Sequence, residues 1–357
     1  MTTPLLSAGA FQTNQPPAAI SGVTLLSHLG VIRARGAEAA QFLQGQLTQD
    51  VSKLGDTAAC LAAFCNAKGR MQASFVVFTS KGAEALEDIL LVCSRDLLAQ
   101  TLKRLSMFVM RAKVKLTDAT DEFLLYGVAG EAAHALGAIN SGAAYARFPW
   151  SKHVFDHQAC IQLYPGANVD RLLWCAPAVS QPPAGQALSL SLWQWLEVQS
   201  GVAMITLPIF EAFVPQMLNY ESIGGVNFKK GCYPGQEVVA RSQFRGTLKR
   251  RAYVAQIDGM SDGKSDGKSE GEGEGESAGQ RAIAPHIGQE VFHESDADQP
   301  CGLVAASAAS GDGAGDGCYA VIVSIQTSAA TGRLSLGSSS GTALRLLPLP
   351  YPLLEDI

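Results

Sequence analysis

The run Lys229-Lys230-Gly231-Cys232-Tyr233-Pro234-Gly235-Gln236-Glu237 constrains the chain more than any other stretch. It sets one thiol between two glycines, after paired lysines and ahead of a Gln-Glu pair. Glycine lets the backbone turn tightly and lets another group approach closely. Pro234-Gly235 predicts a turn, and Gln236 to Arg241 predicts the opening of a helix. Neighbouring lysines and a helix N-terminus both favour a thiolate. Such an environment belongs to a reactive or ligand-contacting cysteine. A small thiol buried in a tight turn fits the same residues.

A chain of 357 residues has room for two or three domains. With 47% hydrophobic and 17% charged residues it reads as a soluble globular protein. No run of 18 apolar residues occurs, so no membrane span is expected. Residues 1–20 lack a basic start and a continuous apolar core, so they read as a flexible tail rather than a signal peptide. The eight cysteines, at 60, 65, 93, 160, 175, 232, 301 and 318, form no Cys-x-x-Cys pair. Their scatter points to a reducing cytosol and away from a self-contained zinc or iron–sulfur site.

Charge is uneven along the chain. Residues 259–280 carry six acids against two lysines in a Ser-Asp-Gly-Lys and Glu-Gly repeat, which reads as a disordered insertion. Residues 229–251 carry seven basic residues against one acid, a local field suited to an anionic ligand such as polyglutamylated folate or RNA phosphate. His153 and His157 are four apart, but the intervening Val154-Phe155 argues against a metal-binding helix. The glycine- and aspartate-rich 311–317 stretch lacks the distal glutamate of an EF-hand and reads as a turn.

Periodicity predicts a strand over 30–35, a helix over 37–47, a hairpin of 58–65 with 71–79, and a strand over 88–93. Asp96 is expected to cap the next helix, and 112–116 to form a strand. Strands over 122–128, 160–164 and 171–176 surround a helix over 131–139. A helix over 191–204 follows the break at Pro182-Pro183. From Lys249 onward, short strands at 251–257, 290–293, 301–306, 318–325 and 342–347 predict a small barrel or sandwich.

The run Lys-Gly-Cys-Tyr-x-Gly-Gln-Glu resembles the signature of the YgfZ-type folate-binding proteins, relatives of the glycine-cleavage T-protein (aminomethyltransferase). Phe42 to Asp50, Lys68-Gly69-Arg70-Met71, Arg111 to Val114 and Pro215 to Asn219 resemble the family's other blocks, in order. The resemblance runs from about Ser27 to the C-terminus. It implies an α+β, T-protein-like cloverleaf: a folate-binding body from 21–120 with 191–244, a ferredoxin-like lobe over 121–190, and a C-terminal β-barrel over 245–357 holding the 259–280 insertion.

The same resemblance implies a cytoplasmic tetrahydrofolate-binding accessory protein that supports assembly or repair of iron–sulfur clusters in client enzymes, tRNA-modifying ones included. Cys232 is implied as the functional thiol. Lys230, Gly231, Tyr233, Gln236, Glu237, Arg241, Asp50 and Gln46 are candidates for folate contact, with Lys68 and Arg70 as further cavity candidates. The T-protein's catalytic carboxylate follows a Gly-rich hairpin turn; here Gly69 to Ser74 contains no Asp or Glu. The glutamate that holds the pterin edge maps, by position before Gly201, onto Gln199. A folate-dependent one-carbon transferase and a tRNA-binding regulator using Lys249, Arg250 and Arg251 remain the alternatives.

Overall fold

The computed structural model describes residues 20–81, 87–141, 148–244, 248–257, 284–311 and 319–354. Residues 1–19 of the expected 1–20 tail, the 259–280 insertion, Cys318 and residues 312–317 of the expected 311–317 turn lie outside these residues. Strand β1 (Gly22–Leu25) joins a sheet completed much later in the chain. The next five strands, β2 (Leu29–Arg35), β3 (Ala59–Cys65), β4 (Met71–Lys81), β5 (Glu87–Ser94) and β6 (Lys115–Asp118), form an antiparallel sheet in the order β3-β4-β5-β2-β6. Every residue of β3 is buried, which accounts for its unbroken Ala-Cys-Leu-Ala-Ala-Phe-Cys composition. Helices α1 (Ala39–Gln44) and α2 (Arg95–Ser106) cover one face, packing Leu43, Leu98 and Leu105 on Ile32 and Phe75.

Two local expectations shift. The N-cap of α2 is Ser94, not Asp96; Asp96 lies in the first turn, where it accepts from Ser94 Oγ at 2.6 Å and from the Leu207 amide at 2.9 Å. The strand expected over 112–116 starts only at Lys115, because its register is set by pairing with β2, Arg35 opposite Lys115 and Ile32 opposite Asp118. Ala112 and Val114 are used in turns instead.

The second sheet runs β1-β7-β10-β9-β8, from β7 (Phe123–Ala129), β8 (Lys152–Phe155), β9 (Gln158–Gln162) and β10 (Arg171–Pro177). Helix α3 (Glu131–Ser141) follows β7. His153 lies on β8 and His157 in the tight β8–β9 turn, so no helix brings them onto one face. Helix α4 (Leu190–Gln199) is capped by Ser189, whose side chain accepts from the Leu192 amide. It stops short of the predicted Met204, because Gly201 adopts a left-handed φ of 68°. Leu196 and Trp193 of α4 pack between the two sheets with Val92, Leu125 and Leu173.

Helix α5 (Gln236–Phe244) precedes the barrel. Six strands close it in the order β11-β14-β13-β12-β15-β16: β11 (Arg250–Ile257), β12 (Glu290–His293), β13 (Gly302–Ala309), β14 (Tyr319–Gln326), β15 (Leu334–Leu336) and β16 (Thr342–Leu347). Closure removes exposed sheet edges. The three-residue β15 is too short to leave a periodic signal. The architecture is α+β, with the barrel at the C-terminal end.

Buried polar contacts join the parts. The Lys152 ammonium, 1% exposed, donates to Thr79 O and Oγ1 at 2.7 and 2.8 Å, linking the two sheets. Asn219 adopts a left-handed φ of 59° and pairs both faces of its amide with the Ala252 backbone of β11. Beside it, Arg251 meets the buried Glu221 at 2.9 Å.

Candidate functional site

The motif turn is assembled against the N-terminal sheet. Gly235 has φ of 79° and Gly69, in the β3–β4 turn, has φ of 71°. A Cβ on Gly235 would lie 2.4 Å from Asn66 O and 2.6 Å from Gly69 Cα, so two glycine backbones touch here. Gly231 differs: nothing lies within 4 Å of where its Cβ would be. Cys232 beside it is exposed, which removes the buried-thiol alternative, whereas Cys60, Cys65, Cys93, Cys160, Cys175 and Cys301 are buried.

Lys230 reaches across to the end of α1. Its ammonium donates to Gln44 O and, at 2.6 Å, to Leu47 O, and lies 5.0 Å from the centre of the Tyr233 ring. Burial pulls its pKa down to about 8, while the charges of Asp50, Cys60 and Cys232 oppose the fall. Asp50 accepts from Ser52 Oγ at 2.6 Å, which with the nearby Lys53 holds its carboxyl below the usual range against some burial. Tyr233 is buried and its hydroxyl has no hydrogen-bond partner; Gln46 Oε1 is likewise buried and unpartnered. Glu237 and Arg241 are exposed and pair with each other at 2.7 Å along α5. Gln236 occupies the first position of that helix, as its place after Pro-Gly predicts. Lys68 is exposed at the hairpin turn, and the Arg70 guanidinium donates to Ala212 O.

A second place lies where the two sheets, α4 and the barrel converge. It is a cavity of about 190 Å³. Its apolar wall includes Leu61, Val76, Val202 and Ala305. Its polar wall includes His28, Arg171 and Glu197. Arg171 is 3% exposed; its Nε and Nη2 donate to Tyr164 O at 3.1 Å, while Nη1 is buried without a partner. The guanidinium lies 5.1 Å from the Trp193 ring centre. Burial lowers its pKa to about 10, with Glu197 opposing, so it remains cationic at neutral pH.

Glu197 accepts from Trp193 Nε1 at 2.9 Å, one helical turn back, and lies 3.4 Å from His28 Nε2. Burial pushes its carboxyl up, but His28, Arg171 and Trp193 together outweigh that and hold it below the ordinary glutamate value. Its side chain is 30% exposed and lines the cavity. Both ring nitrogens of His28 are buried without a hydrogen bond.

None of the motif residues, nor Asp50, Gln46 or Gln199, lines this cavity. The carboxylate on its wall is Glu197, two residues before Gln199 and on a different side of α4. Sequence reasoning passed over Glu197, Arg171 and His28; the available signal was the Trp193–Glu197 spacing of four on a helix. Ser74, in the stretch without a carboxylate, does line the cavity, and its hydroxyl accepts from the Ile205 amide at 2.8 Å. The basic stretch after Cys232 is partly committed to structure: Arg251 pairs with Glu221, and Arg250 donates to Cys301 O. Among the described residues, no helix is long and apolar enough to cross a membrane.

Two antiparallel sheets and a closed barrel around a central cavity define the aminomethyltransferase class of fold. The glycine cleavage system aminomethyltransferase T from Bartonella henselae superposes with a TM-score of 0.56 over 95% of this chain and 87% of that one, at 14% identity. No family model matches the chain. In sequence it is 34% identical over 236 residues to the tRNA-modifying protein YgfZ of Sodalis glossinidius, covering 64% of this chain and 69% of that protein. It is 35% identical to the Klebsiella pneumoniae protein of the same name over 60% of this chain and 65% of that one. The Yersinia pseudotuberculosis counterpart is 31% identical over 67% and 73%. The chain belongs to the YgfZ family.

Proposed function

We propose that this protein binds tetrahydrofolate in its central cavity and acts in the cytoplasm as an accessory factor for iron–sulfur enzymes, tRNA-modifying ones among them, with Cys232 as its functional thiol. The observation that carries the reading is the cavity wall: Arg171 Nη1 and His28 Nδ1 are buried without a hydrogen bond beside Glu197, which His28 Nε2 approaches at 3.4 Å. Buried polar groups are costly unless paired, so such a wall favours a ligand with complementary donors and acceptors. The aminomethyltransferase fold, and the YgfZ relatives' being tRNA-modifying proteins, support the choice of folate and of the process.

A flat heterocycle can lie between the apolar and polar walls. The exposed Cys232 and open space at Gly231 then leave the thiol free to meet a client. Support for assembly or repair of clusters rests on that thiol's accessibility and on the family resemblance. The one-carbon transferase alternative has less behind it, since Ser74 is a neutral hydroxyl where the T-protein carries its carboxylate.

Titration of the purified protein with tetrahydrofolate, with and without Cys232→Ala, tests the proposal. Saturable binding that survives Cys232→Ala, joined to a loss of client iron–sulfur enzyme activity in cells carrying that variant, is the expected pair. Absence of binding would end the folate reading. Unchanged client activity would end the role of the thiol.

A further inference from the structure

The basic stretch at 249–251 is largely spent inside the fold, with Arg251 on Glu221 and Arg250 on Cys301 O. A second basic stretch is not. From Lys103 to Lys115 the chain carries five cations and no acid, and Lys103, Arg104, Arg111, Lys113 and Lys115 are all exposed. None of the five forms a salt bridge among the described residues. Two acids lie beside them. Glu211 has its carboxyl held low first by the Gln72 and Asn66 side-chain amides, against slight burial, and further by Arg104. Glu38 accepts from the Lys113 backbone amide at 2.8 Å. A small cavity opens next to this stretch. It holds about 140 Å³, close to the roughly 150 Å³ that admits a benzene ring. Phe64 and Phe210 supply its aromatic wall, and Gln72, Gln100, Thr101 and Arg104 its polar one. Gln100 and Arg104 stand one turn apart on α2, and hydrogen bonds from Phe108 N to Leu105 O and Val109 N to Ser106 O keep the chain coiled past the helix end. The exposed Phe108 continues that row, its ring 6.4 Å from the Phe64 ring at 76°. Lys103 and Met107 form the neighbouring row.

Amide, hydroxyl and guanidinium groups around a ring-sized space suit a heterocycle that both donates and accepts at its edge. Cations at the mouth suit a phosphate chain. An apolar peptide side chain would gain little from such a lining. We propose that the C-terminal end of α2 and the turn after it bind single-stranded RNA, one unstacked base entering the Phe64–Phe210 cavity while Lys103, Arg104, Arg111 and Lys113 follow the phosphates. The bases of a duplex are stacked and paired and cannot enter. None of these residues lines the central cavity, so the inference is independent of the folate reading. It also gives a role to the Arg111-Ala112-Lys113 block, which neither the central cavity nor the Cys232 turn uses.

Fluorescence anisotropy of a labelled RNA dodecamer, free and annealed to its complement, tests this with the unmodified protein. The single strand should bind at least about fivefold more tightly than the duplex, the worth of one base–aromatic contact. A surface that reads charge alone favours the duplex, so equal or tighter duplex binding overturns the inference. Four phosphate contacts should weaken single-strand binding roughly fiftyfold between about 50 and about 200 mM salt. Lys103→Glu combined with Arg111→Glu, both at exposed positions, should lower affinity at least about tenfold and flatten that salt dependence, whereas Lys249→Glu should stay within about twofold. Poly-glutamate that displaces the strand as readily as unlabelled RNA would mark a face for acidic proteins and overturn the inference. Absence of saturable RNA binding overturns it as well and leaves the tetrahydrofolate titration untouched.

Discussion

The central cavity encloses its polar groups, and the Cys232 turn exposes its thiol. At the cavity, Arg171 Nη1 is buried without a partner and the His28 ring lies 3.4 Å from Glu197. At the turn, Lys230 donates to the carbonyls of Gln44, the last residue of α1, and of Leu47 beyond it, the Tyr233 hydroxyl and Gln46 Oε1 are buried and unpartnered, and the Cys232 thiol is turned outward. A site that encloses its ligand must leave bonds unmade until the ligand arrives. A site that meets a partner at the surface needs a rigid mount and open space. The contrast matches the proposed division of labour, with small-molecule recognition at the cavity and partner contact at the turn.

The largest expected effect separates the thiols. Limited alkylation of the native protein at pH 8 should modify Cys232 at least about 100-fold faster than Cys60, Cys65, Cys93 or Cys160. Burial pushes each of those four up to about 12. Peptide mapping that finds Cys60 labelled as fast as Cys232 would break the contrast.

The two glycines of the turn provide the next test. Gly235→Ala meets Asn66 O at 2.4 Å in a left-handed backbone and should cost about 1–3 kcal/mol. Gly231→Ala meets nothing and should change stability by less than about 0.5 kcal/mol. Urea denaturation of both variants measures the pair, and equal losses would mean that the turn is not mounted through Gly235.

Helix α4 supplies a sharper comparison within the cavity wall. Glu197→Ala should weaken folate binding by about tenfold, whereas Gln199→Ala should leave it within about twofold. The opposite order would return the recognition role to Gln199.

The smallest effect concerns pH. Lys230 has its pKa lowered in the fold to about 8, below the unfolded lysine value of about 10.4. Between those values the unfolded chain binds more protons, so this group's contribution to stability rises as pH rises from about 8 to about 10.4. The melting temperature of the wild type should therefore gain on that of Lys230→Met across this window. A gap that stays constant would mean that Lys230 titrates as it does in water.

Much of the fold was legible because its signals are local. Pro234-Gly235 ahead of Gln236 marks a turn and a helix start wherever it occurs, and the structure has both. The hairpin of β3 and β4 and five of the six barrel strands follow from apolar runs bounded by turn residues. Strand β1 escaped because its four residues gain meaning only by pairing with β7, about a hundred residues on. The cavity residues escaped for a related reason. Arg171 opens an apolar strand and His28 sits in a β-turn between β1 and β2; neither carries a motif, and they converge only when three sheets meet. Trp193 is fully buried, and its second duty of holding Glu197 depends on helix phase.

Strand β4 begins two residues after Gly69, whose backbone touches Gly235, and places Ser74 and Val76 in the cavity wall. From Met71 to Ser74 the strand spans about 10 Å. One continuous ribbon thus runs from the chamber wall to the turn that mounts the outward thiol. A fluorescent dye attached at Cys232 would measure whether filling the chamber is felt along that ribbon, with no label near the ligand.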